Sequence, residues 1–310
     1  MSHRNSSISN FKRFCLKFLC PFLLLMIFFG CAFQYIFEHT IILKTNIGGV
    51  YKVNRIINEF HPQEIAMFGS SRMIQTIIPD MLGPNHFNYG LNGISDNVVL
   101  FFLNEEVKKK KTTPIIINLD IEGLNSGLGS IMYYLYNINY KPVQDLVDKE
   151  DKPYYHISFV KYYGYFELYL KDYLSSKIEL TKYSNKGASI EKNVLLPADF
   201  AEVVKRRENS ATNFNVDPKL LGNLLGLITK HIDRKFIFVI APCHPSCFKN
   251  FKNENTQLKY IEMLRSYKNV RVLNYSKAAY PDSLFFDTKH LNYNGAVKFS
   301  KALRDTLAKI

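Results

Sequence analysis

The stretch Glu64-Ile65-Ala66-Met67-Phe68-Gly69-Ser70-Ser71-Arg72 decides the fold. Residues 64–68 are short and mostly apolar, and Gly69 closes them, so they predict a strand running into a turn. Residues 72–82 predict a short helix that Pro79 interrupts. A serine between a strand end and a helix start sits beside outward-pointing backbone N–H groups, a place suited to nucleophilic attack. Taken alone, Gly-Ser-Ser is also an ordinary turn.

The same rhythm continues on either side. Residues 86–89 predict a second short strand. Ser95 or Asp96 would cap a helix reaching about Lys110, with Val98, Val99, Phe102 and Val107 on its apolar side. The runs 114–119 (PIIINL) and 235–241 (KFIFVIA) are continuously apolar, the pattern of strands buried on both faces. Asp217-Pro218 starts a helix that ends near Asp233. A helix over 255–267, a strand over 270–274 and a closing helix over about 294–310 complete the chain. Alternating strands and helices predict a three-layer α/β sandwich with a mainly parallel sheet. Residues from about 127 to 200 break the rhythm. They are rich in Tyr (MYYLYNINY, KYYGYFELYLKDYL) and read as an aromatic packing subdomain inserted between core strands. A lid, a binding wall and a membrane-contacting surface are the other readings of that insertion.

The N-terminus differs from the rest. Residues 1–17 carry Arg4, Lys12, Arg13 and Lys17 and no acid, and residues 18–37 are almost wholly apolar. About 20 apolar residues cross a bilayer as a helix. The basic flank predicts a cytoplasmic tail over 1–17, a transmembrane anchor over 18–37 and the remainder on the periplasmic or extracellular side. A lipoprotein reading would use Gly30-Cys31, against the bulky Phe28 and Phe29 before it. A cleaved signal would need a shorter apolar run and a small-residue site. Residues 38–62 read as a connecting segment and 63–310 as the domain.

Hydrophobic residues make up 47% of the 310 and charged residues 22%, which fits a packed domain and not a disordered chain. Net charge is +13; without the four basic residues before the anchor, 36 basic residues face 27 acidic ones. A basic exterior suits anionic lipid or polymer as well as plain solubility. Nucleic acid is not an expected partner outside a membrane. Of the cysteines, Cys243 and Cys247 alone lie beyond the anchor. They would pair in an oxidising compartment or remain two thiols, and with His244 they are too few for a zinc site, so no metal is expected.

The strongest chemical signal is Phe285-Phe286-Asp287-Thr288-Lys289-His290-Leu291-Asn292. An Asp three residues before a His can accept the imidazole Nδ1 hydrogen bond from a tight turn and stabilise the imidazolium. The third signal is Asn88-Tyr89-Gly90-Leu91-Asn92-Gly93, whose glycines allow close backbone approach to a ligand. His244 follows a strand in a Pro-rich turn and would face the site as a substrate contact or serve structurally. Arg72, next to Ser71, would bind an anionic substrate group, lie at the surface or cap a helix.

In this order and spacing the three signals resemble the SGNH/GDSL hydrolase superfamily, over about 64–120 and 235–310. Gly69-Ser70-Ser71 is similar to its first block, with Ser71 in the nucleophile position. Residues 88–93 resemble the second block, and Asp287-x-x-His290 the fifth. The Gly-Ser-Ser form is similar to the branch of membrane-anchored envelope acyl-transfer proteins of alginate acetylation and teichoic-acid D-alanylation. The resemblance implies a Ser71–His290–Asp287 triad, oxyanion donors from the backbone of Ser71 and Gly93, and no cofactor. It implies esterase or O-acyltransferase chemistry on a cell-envelope glycan or polymer, with a membrane acyl-exporting partner in the transferase case. The third block departs. Where the family has Gly-x-Asn-Asp, this chain has residues 118–125 (NLDIEGLN), with Glu122 near the Asn position and Asn125 as the substitute donor. That departure keeps an inactive SGNH-like scaffold or glycan-binding module as the alternative, and a lipid-directed esterase as a third reading.

Overall fold

A computed structural model describes residues 11–148, 152–158, 160–178 and 186–310. The first ten residues of the expected tail, with Arg4, and parts of the insertion lie outside the described residues. The chain opens with one helix, α1 (Phe11–Ile42), long and apolar enough to span a membrane. It extends past both ends of the expected anchor, and π-helical turns mark Cys15–Leu19 and Glu38–Ile42. After a link of five residues, 43–47, α2 (Gly48–Asn58) begins and buries Val50, Val53 and Ile56.

From there the chain alternates: β1 (Ile65–Phe68), α3 (Ser71–Thr76), α4 (Pro79–Leu82), β2 (His86–Asn88), α5 (Asp96–Lys108), β3 (Ile115–Asn118) and a two-residue β4 (Gly123–Leu124). The insertion contains 3-10 turns, α6 (Lys141–Val147) and α7 (Phe166–Ile178); α8 (Pro197–Glu208) follows. The rest is β5 (Thr212–Asn213), β6 (Asn215–Val216), α9 (Pro218–Lys230), β7 (Phe236–Ile240), β8 (Phe251–Lys252), α10 (Glu254–Arg265), β9 (Val270–Asn274) and α11 (Tyr293–Leu307). Asp217 caps α9, its Oδ1 accepting from the N–H groups of Lys219 and Leu220 at 2.8 and 3.2 Å.

The main sheet is parallel with order β2-β1-β3-β7-β9. The α/β fold expected from the alternation is therefore present. Side chains alternate faces along a strand, and here both faces are covered. Ala66, Phe68, Ile115, Ile117, Phe236 and Phe238 enter one core, which also takes in α2, α5, α9, α10 and the insertion. Met67, Ile116, Ile237 and Val239 enter a second core under α3, α4 and α11. That is why these strands read as unbroken apolar runs. The insertion packs into the first core through Tyr134, Tyr155 and Tyr169, each at most 1–2% exposed. The sequence reading did not foresee β4, β5, β6, β8 and α8. Two pairs of very short strands, β4 with β6 and β5 with β8, each join segments distant in the chain.

The strand order reverses beside β1: the chain steps from β1 out to β2, then crosses back to β3 on the other side. In sheets of this kind the crevice at the carboxyl ends of the two diverging strands is where ligands bind. Ser71 stands there.

Candidate active site

Ser71 is the first residue of α3, immediately beyond the end of β1. Gly69 lets that turn form, because a Cβ at this position would lie 2.8 Å from the Cβ of Met73 and 2.9 Å from that of Asn118. Ser70 has the extended conformation of a helix cap, yet its hydroxyl does not cap α3. It donates instead to Asp120 Oδ2 at 2.7 Å, tying the turn to the end of β3.

The second contributor is a closed turn ahead of α11. Phe285 and Leu291 pair across it as an antiparallel bridge, and both are buried in the second core. Within the turn, Asp287 Oδ1 accepts from the backbone N–H groups of Lys289 (2.7 Å) and His290 (2.8 Å). The His290 ring reaches Asp287 Oδ2 through Nδ1 at 2.8 Å and Ser71 Oγ through Nε2 at 2.8 Å. An ionised carboxylate only accepts, so Nδ1 carries the proton and Nε2 accepts from the Ser71 hydroxyl. Burial alone would raise the Asp287 carboxyl; the hydrogen bond and charge attraction from His290, with the two backbone donors, outweigh it and hold the group below the ordinary carboxylate range. Asn292 fixes the far side of the turn. Its side chain donates to the carbonyls of Ser283 and Phe285 and accepts from the N–H of Gly295, capping α11.

The loop carrying Gly93 runs beside α3. Leu91 N–H donates to the Gly69 carbonyl at 3.2 Å, and Gln75 of α3 donates to Asn92 Oδ1 at 3.3 Å. Asn88, wholly buried, donates to the carbonyls of Met73 and Ile77 and accepts from the N–H of Gly90, so the loop and α3 move as one piece. Gly93 itself is exposed with φ +66°, a left-handed conformation that disfavours side chains. From the opposite side Lys52 of α2, fully buried, donates its ammonium to the Gly90 carbonyl at 2.5 Å. Burial pulls the Lys52 amine down to about 7. Nothing in the local sequence marked Lys52, since its partner lies 38 residues away.

Other residues singled out from the sequence fall elsewhere. Arg72 was expected to face an anionic group, but its side chain turns inward. It is 3% exposed and its Nη2 donates to the carbonyls of Ala241 (2.5 Å) and Pro242 (3.1 Å) at the end of β7. His244 was read either as a substrate contact or as a structural residue, and both its ring nitrogens are engaged. Nδ1 accepts from the N–H of Ser246 and lies 2.8 Å from its hydroxyl, and Nε2 donates to Asp282 Oδ1 at 3.1 Å. Its ring packs edge-on against Phe200 and Phe285, and its backbone N–H holds the Thr288 carbonyl. His244 therefore braces the triad turn from behind. Cys247 lies in the same brace, its thiol donating to the Thr288 carbonyl at 3.2 Å, and both Cys243 and Cys247 are free thiols.

The end of β3 departs from the arrangement expected of residues 118–125. Glu122 is turned to Lys289 (2.6 Å) and Arg207 (3.6 Å). Burial would raise its carboxyl, but these two cations lower it. Asn125 is exposed and its main chain is tied to Asp96: its N–H donates to Asp96 Oδ2 at 2.7 Å and its carbonyl accepts from Asp96 N–H. Among the described residues no hydrogen bond joins the Asn125 side chain to the triad. Asn118, by contrast, is 3% exposed beside Gly69, and among the described residues neither atom of its amide has a protein partner. Asp120 Oδ1 is likewise unpartnered. Sequence alone assigned Asn118 and Asp120 no role; their place at the end of β3 and just beyond it, next to the switch point, was the available signal.

No protein-family model matches the chain, and no curated protein is similar to it. Among solved structures it is similar to one described as a platelet activating factor candidate from Streptococcus pneumonia. Identity is 14% and the TM-score 0.40, over 83% of this chain and 89% of that one. At that level the likeness assigns nothing to this chain.

Proposed function

We propose that the chain is a membrane-anchored serine esterase or O-acyltransferase of the SGNH type. It would act on a cell-envelope glycan or polymer from the periplasmic or extracellular side. The observation that carries this reading is the unbroken line Asp287–His290–Ser71, with 2.8 Å between His290 Nε2 and Ser71 Oγ. His290 takes the Ser71 proton as Oγ attacks an ester carbonyl, and Asp287 stabilises the resulting imidazolium. The developing oxyanion meets the backbone N–H groups of Ser71 and Gly93. Collapse expels the first alcohol, which receives the proton from His290 and leaves an acyl-Ser71 ester. Attack by water then completes hydrolysis; attack by a sugar hydroxyl completes transfer. A basic outer face and an N-terminal helix of spanning length suit an anionic envelope surface.

The test is labelling of the full chain in detergent with a fluorophosphonate. Covalent labelling of the native protein and its loss in Ser71→Ala are expected. A folded native chain that takes no label would leave the scaffold reading in its place. Incubation with an acyl ester and a polysaccharide acceptor then separates the two chemistries, since transfer moves the acyl group to the acceptor and hydrolysis releases it as free acid.

A further inference from the structure

We propose that the start of α7, with Tyr163 and Phe166, enters the membrane alongside α1 and fixes the domain against the bilayer surface. The inference rests on reading α1 as a membrane span.

The geometry is set by depth along α1. Its apolar run ends at Phe37, and the first acid after it is Glu38. A polar knot forms at that point. Glu38 Oε1 accepts from Gln34 Nε2 (2.9 Å), from the Tyr162 hydroxyl (2.6 Å) and from the Lys161 ammonium (3.0 Å). Acid, cation and phenol gathered within hydrogen-bond distance mark where the helix leaves hydrocarbon, because none of these groups is stable unpaired in lipid.

The insertion then continues downward past the knot. The ring of Phe166 stacks on Phe37 at 4.8 Å and lies 5.7 Å from Phe33, one turn deeper in the apolar run. Four residues of helix rise about 6 Å, so Phe166 stands well on the lipid side of Glu38. Tyr162 and Tyr169 pack edge-on against Phe37 and lock the two helices together at that height. In the chain between the clamping residues Tyr162 and Phe166, Tyr163 is 82% exposed, and Phe166 is itself 39% exposed. Phe33 is 51% exposed on the same stretch of α1. Aromatic side chains with one polar end concentrate at the level where hydrocarbon meets headgroups. The exposed face is thus continuous with the lipid-facing surface of the span, and the occupant that fits it is the bilayer itself. A second copy of the chain is the competing occupant and is separated by the test.

The chain has no Trp, so single tryptophans report position without background. The full chain is reconstituted in phosphatidylcholine–phosphatidylglycerol vesicles whose acyl chains are brominated either near the headgroup or near the bilayer centre. Three variants are compared: Tyr163→Trp, Phe28→Trp within α1, and Ile232→Trp, which is exposed after α9 at the opposite end of the sheet from the triad. Loss of Tyr163→Trp emission with headgroup-proximal bromine, and less with central bromine, is expected. Ile232→Trp should lose none with either lipid. An unquenched Tyr163→Trp that acrylamide reaches overturns the proposal. So does one that is unquenched, shielded from acrylamide and released by lowering the protein-to-lipid ratio, which would place a second copy on this face. Phe28→Trp separates the two levels of inference: if it too is unquenched, the reading of α1 as a span has failed, not only that of α7.

Discussion

The triad turn and the end of β3 lie side by side at the same edge of the sheet, and they are built in opposite ways. In the turn, Asp287 holds two backbone donors and an imidazole, and Asn292 uses both ends of its amide to fix the far side. At the end of β3, Asn118 keeps both amide atoms without a protein partner, and Asp120 has one free carboxylate oxygen. A buried polar atom left unpaired costs about 1–3 kcal/mol. A fold retains such a cost at a site more readily than in a core. The comparison teaches that the hydrogen-bonded line from Asp287 to Ser71 is preorganised, while the end of β3 has polar capacity to spare.

The largest effect should come from the wired side. Ser71→Ala removes the proposed nucleophile and should abolish fluorophosphonate labelling and lower any ester turnover by about a thousandfold or more. Asp287→Asn keeps the shape of the turn but offers His290 the wrong partner, and turnover should fall by about a thousandfold. Steady-state rates on a chromogenic ester, with circular dichroism as the folding control, read both.

The unwired side should respond less. Asp120→Asn alters one hydrogen bond to Ser70, and a loss of about tenfold or less in turnover is expected, in keeping with about 1 kcal/mol for such a bond. A loss matching that of Asp287→Asn would dissolve the contrast and place Asp120 in the catalytic machinery. Asn118→Leu replaces an unpartnered amide by an apolar group of similar size. It should raise thermal stability by about 1 kcal/mol or more and leave labelling unchanged. Higher stability combined with lost labelling would instead make Asn118 an oxyanion donor of the proposed site.

The effect with least bearing on the proposed chemistry concerns Asp96, which holds the backbone of Asn125. Burial raises its carboxyl to about 7, opposed by the hydrogen bond from Asn125 N–H. The unfolded value is near 3.9. Between these limits the folded state binds more protons, so this group's contribution to stability falls as pH rises from about 4 to 7. Asp96→Asn should flatten that part of the profile, making the variant more stable than the native chain at pH 8 and about equal at pH 4. Melting temperatures across that range decide it, and an unchanged slope would remove Asp96 as its source.

The parallel sheet was legible because its strands are buried on both faces, so Ile115–Asn118 and Phe236–Ile240 stand out as unbroken apolar runs. The turn was legible because Asp287 and His290 meet across three residues, a distance at which spacing alone carries geometry. The orientation of Arg72 was not, since the carbonyls it serves lie about 170 residues away. The choice between a site-facing and a structural His244 was not legible for a similar reason: its ring is claimed by Asp282, 38 residues on. A local reading sees that these side chains stand near a site but not which way they turn. The same holds for Asn125, whose amide has no hydrogen bond to the triad and whose backbone answers to Asp96.

The short tether after α1 has a consequence for encounter rates. Asn46 and Ile47, just past the end of α1, share a cavity of about 170 Å³ with Leu91 and Asn92 of the Gly93 loop. Counting helical rise to Ile42 and full extension beyond it, that cavity lies within about 22 Å of Phe37 along the chain. With α1 in a bilayer, the loop beside Ser71 patrols a thin shell over one leaflet. A substrate anchored in that leaflet then shares two dimensions with the site and meets it at a raised effective concentration, whereas a freely diffusing one gains nothing.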